Sequence, residues 1–106
     1  MPKYLFIGKY TAEGARGVIK DGGTKRRQVA QQVMESLGGS VETYYFGFGT
    51  DDFYVIADLP DHAAASAASL TVGASGTIGV RTVVLLTPEE VDDAAQRSVR
   101  FSPPGA

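Results

Sequence analysis

"SVETYYFGFGTDDFYVIADL", Ser40 to Leu59, decides the fold. Two runs rich in aromatic and β-branched residues, "SVETYYFGF" and "FYVIADL", stand on either side of Gly49-Thr50-Asp51-Asp52. Runs of this composition are strands, and four residues of Gly, Thr and Asp between them make a hairpin loop. Adjacent carboxylates can also divide acid–base work or hold a hard cation, but both uses need further ligands converging in space. Neighbouring strand residues point to opposite faces, so Asp51 and Asp52 are poorly placed to act as a pair. The stretch therefore reads as a turn. Gly49 is expected at a left-handed backbone position, with Asp51 exposed at the tip.

Working outward, "KYLFIGKY" (Lys3–Tyr10) is a short apolar run with the profile of a strand. Leu5 and Ile7 form one alternating set, and Tyr4 and Phe6 the other. Neither set is polar, which marks a central strand buried on both faces. In "TKRRQVAQQVMESLGG", Val29, Ala30, Val33, Met34 and Leu37 recur at helical spacing. Thr24 is the expected N-cap and Gly38-Gly39 the stop, with Thr11–Lys20 forming a preceding helical turn broken at Asp21-Gly22-Gly23. Downstream, "PDHAAASAASLTVGAS" is an alanine-rich helix capped by Asp61, and "TIGVRTVVLL" is a last strand. "TPEEVDDAAQ" opens with a threonine cap, a proline at the first helical position and a glutamate at the third.

The order is β-α-β-β-α-β plus a C-terminal helix. This is the ferredoxin-like α+β arrangement, a four-stranded antiparallel sheet with two helices on one face. One domain is expected over residues 1–97, with 98–106 as a flexible tail. The uncovered sheet face needs a partner larger than one short helix. A second copy of the chain is the natural candidate, giving a homodimer or a multiple of one.

With 106 residues, 43% of them hydrophobic and 21% charged, the chain suits one small globular core. The absence of cysteine excludes disulfides, thiolate zinc sites and a cysteine nucleophile. A net charge of −2 offers no general attraction to nucleic acid or to an anionic membrane. No segment approaches the ~20 apolar residues of a membrane span, and "MPKYLFIGKY" lacks the h-region of a signal peptide. A cytoplasmic location is expected.

Few residues carry recognisable chemistry. "DGGTKRR" sets Lys25, Arg26 and Arg27 at a helix start, where an anion could bind or a basic turn could simply be solvated. "GKYT" lacks the upstream glycine of a P-loop. His62, the only histidine, has no second nitrogen or sulfur ligand, so no metal site is expected. On the second strand, Tyr44, Phe46 and Phe48 form the core-facing set; Val41, Thr43, Tyr45 and Gly47 form the other. Arg81 is a charge inside an apolar run and must reach a carboxylate, a partner or a ligand. Tyr10, Tyr45 and Arg81 are the candidate ligand-binding group on the open sheet face, with interface packing as the alternative reading.

"MPKYLFIGKYTAEGARGVIK", the double-glycine break, "SLGG", "YYFGFGTDDFYVIADLPD" and "GVRT" together resemble the GYD family of small bacterial proteins, from about Met1 to Glu90. That family is named for a Gly-x-Tyr-Asp stretch at this hairpin. Gly49 and Asp52 match it, while Asp51 stands where the tyrosine would be. The resemblance implies a ferredoxin-like fold that pairs as a dimeric α+β barrel, and it implies no established reaction and no cofactor. Many such barrels are cofactor-independent monooxygenases or isomerases, so a small organic molecule in a cleft is the expected ligand. A non-enzymatic assembly or regulatory module using the sheet face is the alternative, since fold alone does not fix function.

Overall fold

The computed structural model describes residues 1–106. Strand β1 (Lys3–Tyr10) is followed by helices α1 (Ala12–Asp21) and α2 (Gly23–Ser36) and the hairpin strands β2 (Ser40–Phe46) and β3 (Phe53–Asp58). Helix α3 (His62–Ala74), strand β4 (Ile78–Leu85) and helix α4 (Pro88–Gln96) complete the chain. The sheet order is β2-β3-β1-β4 and every pairing is antiparallel. This is the α+β, ferredoxin-like architecture, with β1 central as its two apolar sets require.

Local chemistry sets the helix ends. Thr11 accepts a hydrogen bond from the Gly14 amide and starts α1, which is a full ten-residue helix rather than a single turn. Gly22, at φ 82°, is the one residue between α1 and α2, and its amide donates to the Val18 carbonyl. It also serves as the N-cap of α2, so Thr24 lies inside the first turn and caps nothing. At the other end of α2, Gly38 has φ 84°. The Gly38 and Gly39 amides donate to the Glu35 and Met34 carbonyls, a Schellman stop. Asp61 caps α3 through the Ala64 amide, and Thr87 with Glu90 forms a complete capping box on α4.

The core lies between the sheet and helices α2 and α3. Tyr4 and Phe6 of β1 meet Phe53, Val55 and Ala57 of β3, Leu59, Met34 of α2, and Ala65 and Ala68 of α3. The alanines bring α3 close to the sheet. Between Val41 and Thr43 the β2–β3 register shifts by one residue. This bulge at Glu42 returns Val41 to the helix side, where it packs on the core beside Tyr44 and Phe46. Strict alternation had assigned Val41 to the opposite face. Phe48 is also displaced from its expected place: the strand ends at Phe46, and Phe48 is 75% exposed, stacked on the Phe46 ring.

No helix covers the other face. One row of residues crosses it from Tyr45 through Tyr54 and Ile7 to Arg81, and the next runs from Thr43 through Ile56 and Leu5 to Val83. Helix α4 buries none of its residues. The chain accordingly measures 55 × 34 × 22 Å with a radius of gyration of 16.8 Å. A compact chain of this length would have about 13 Å. No helix is long and apolar enough to cross a membrane.

Candidate functional site

The hairpin loop, Gly47 to Asp52, is tied to the end of β1. Pairing between β1 and β3 stops at Gly8 and Phe53, leaving the Tyr10 amide without a β3 carbonyl. The Asp52 carboxylate replaces it, accepting from Tyr10 N at 2.8 Å and from Lys9 Nζ at 3.3 Å. The Asp52 amide donates to the Gly8 carbonyl at 2.7 Å, and its carbonyl accepts from the Gly47 amide at 2.9 Å. Asp52 is the one buried charged residue, and all of its polar groups are used in holding the loop. Asp51 is not exposed at the tip as expected. It is half-buried and accepts from Arg81 at 2.8 Å. Gly49 is corrected too: its φ is not positive and no atom lies within 4 Å of where a Cβ would stand. A glycine under demand beside this loop is Gly8, where a Cβ would fall 1.9 Å from the Phe53 ring.

Tyr10, Tyr45 and Arg81 do not converge. Tyr45 and Arg81 share one row of the open face but sit on the two outer strands, roughly 14 Å apart at sheet spacing. Arg81 is engaged by Asp51, the carboxylate its position called for. Tyr10 lies on the opposite face, its ring 5.3 Å from that of Phe53. His62, read as a lone helix-start residue, is exposed but has a partner: its Nδ1 is 2.7 Å from the hydroxyl of the buried Tyr4. No three His, Cys, Asp or Glu side chains come together to hold a metal ion.

What Tyr10 does line is a cavity of about 70 Å³ between the sheet and helices α2 and α3, walled chiefly by Phe6, Val33, Phe53, Val72 and Val80. Tyr10, Tyr44, Arg26 and Ser69 complete the lining of this almost wholly apolar space. A second space of about 90 Å³ lies under α1 and is edged by Glu13, Gly14 and Asp21. Tyr10, Arg26 and Ile78 line both spaces, so movement of Tyr10 and Arg26 would join them. Burial raises the pKa of Tyr44, the neighbouring Tyr10 hydroxyl raises it further, and Arg26 opposes the rise. Tyr44 is therefore a neutral hydrogen-bond donor at any physiological pH.

The sequence reading had Arg26 only as one of a basic triplet and Tyr44 only as a core residue, and each left a further signal. Arg26 extends the α2 stripe one turn back from Val29, Ala30 and Val33, a cation on an apolar face. Tyr44 is a tyrosine in the core-facing set, and a buried phenol needs a partner. Of the basic triplet, only Arg26 turns inward; Lys25 and Arg27 are exposed.

Comparison with curated proteins and with solved structures found no match in either. Comparison with family models found one, the GYD domain, over residues 4–95. The match takes in every strand and the hairpin with its buried Asp52, and the chain belongs to the GYD domain family.

Proposed function

We propose that two copies of the chain pair through the open sheet face, and that each copy holds a small organic molecule between its sheet and helices α1 to α3. The observation that carries the ligand reading is the group Tyr10, Tyr44 and Arg26 around an otherwise apolar cavity. Apolar walls with a few convergent polar groups are what small-molecule sites present. A cavity of about 70 Å³ is under half the roughly 150 Å³ that admits benzene, so a ring-sized guest must turn Tyr10 and Arg26 aside and use the space under α1. The ligand is then planar and apolar at one end, with a carboxylate or enolate oxygen at the other. Arg26 offers that oxygen a fixed fork of donors, and the neutral Tyr44 hydroxyl adds another. The same two groups would steady an enolate if the ligand is turned over without a cofactor.

Ligand-observed NMR against phenols, aromatic acids and aliphatic acids tests the reading. Aromatic acids should bind, and both Arg26→Met and Val72→Trp should abolish the signal, the first by removing the fork and the second by filling the cavity. Hits that survive Val72→Trp, or no hits at all, would contradict it. The assembly or regulatory reading is favoured by the open apolar face and predicts the second of those outcomes.

A further inference from the structure

We propose that α4 of each chain docks on a second copy, in the groove between that copy's α2 and β2. The contact rests on the pairing of two copies proposed above and adds to it an exchange of arms. The first ground is that α4 is a well-formed helix with nothing to pack on. Its capping box is complete, yet every one of its residues is exposed, as are Leu86 before it and Val99 and Phe101 after it. Val91, Ala94 and Ala95 form an apolar stripe at three- and four-residue spacing. Most helical stability in proteins comes from burying such a stripe, and a nine-residue helix is too short to persist alone.

The second ground is charge. Glu89, Glu90, Asp92 and Asp93 make α4 strongly acidic, and only Asp93 has an ion-pair partner, Arg97. The cations of α1 and α2 (Arg16, Lys20, Lys25, Arg26 and Arg27) make no ion pair in their own chain. Every ion pair uses Lys3, Lys9, Arg81 or Arg97 instead. The acidic helix and the basic corner complement one another but cannot meet in one chain. Helix α4 leaves the sheet where Leu85 pairs with Lys3, and α2 begins at the opposite end, with Gly23 against Phe46 beside Phe53 and Gly8. Those ends are separated by the run of β1 from Lys3 to Gly8, roughly 17 Å, and by the width of the sheet. A two-fold axis joins such distant patches twice, each helix to the other chain's groove.

The third ground is the groove itself. Two open concavities of about 480 and 220 Å³ run along the α2–β2 edge, and Arg27, Tyr44 and Tyr45 line both. At about 1.5 Å per residue α4 is ~13 Å long, shorter than the ~23 Å edge of β2 on which it would lie. Tyr44 and Tyr45 give the Val91 stripe an aromatic surface at the groove, and Arg27, which lines both concavities, is the cation for the carboxylates flanking the stripe.

Because the chain has no cysteine, a spin label at Gln96→Cys reports on α4 alone. Labelled chains are mixed and re-paired with unlabelled chains carrying ¹⁵N, and light scattering establishes the mass of the mixture. The Arg27 and Thr43 amides of the ¹⁵N chains should lose at least half their intensity. The loss should vanish when the ¹⁵N chain carries Arg27→Asp and return when the labelled chain also carries Asp92→Arg. A dimeric mass with these amides unaffected, or with broadening on α3 around Leu70 instead, overturns the arm exchange and leaves the sheet-face pairing standing. A single-chain mass overturns both.

Discussion

A glycine's importance depends on what surrounds it. Gly49 sits in a turn and belongs to the family stretch, but its backbone is accessible to any residue and its surroundings are empty. Gly8 sits in mid-strand and carries the Phe53 ring across its missing side chain. Gly8→Ala should therefore destabilise the protein by about 2 kcal/mol, as overpacking does. Gly49→Ala should stay within about 0.5 kcal/mol of the parent, and urea unfolding curves would check both. Tyr44 makes a prediction of a different kind. Burial raises its pKa in the folded chain, so the folded state holds that proton more tightly than the unfolded state. The contribution is fully present below the unfolded tyrosine value of about 10 and is lost as pH rises above it. Unfolding free energies between pH 8 and 11 should fall more steeply for the parent than for Tyr44→Phe; parallel curves would mean that the hydroxyl is solvated.

Helix stops and most caps were legible because each depends on a few adjacent residues, although Gly22 rather than Thr24 caps α2. Gly38-Gly39 ends α2, Asp61 caps α3 and Thr87-Pro88-Glu89-Glu90 starts α4, all by local hydrogen bonding. The face of a strand is a different matter, since it depends on register along the whole element. The bulge at Glu42 moved Val41 to the core while leaving no mark in the alternation of Tyr44 and Phe46. The hairpin loop was legible as a turn, but the places of its carboxylates were not, for a related reason. Asp51 was expected at an exposed tip, whereas it reaches Arg81, and the pairing of β1 with β3 stops one residue short of Asp52 and so recruits that carboxylate. Asp52→Ala should leave the Tyr10 amide unpaired and cost about 2–3 kcal/mol. Asp51→Asn should cost under about 1 kcal/mol, because its Arg81 partner is mostly exposed. The candidate cavity was the least legible feature. It takes Tyr10 from one strand, Tyr44 from another and Arg26 from a helix, and nothing local in the sequence joins the three.

The whole molecule is open for its length. Only 14 of 106 residues are buried, and the radius of gyration exceeds the compact value by several ångströms. Three features contribute: the uncovered face around Leu5, Ile7, Ile56 and Val83, the standing-off α4, and the unpaired basic corner. The proposed pairing makes a single chain half of a body, and both the sheet-face contact and the arm exchange depend on that claim. Light scattering across a micromolar dilution series tests it most directly. The account predicts a mass twice the 11.2 kDa of one chain, or a larger even multiple. A mass of one chain at every concentration would contradict it.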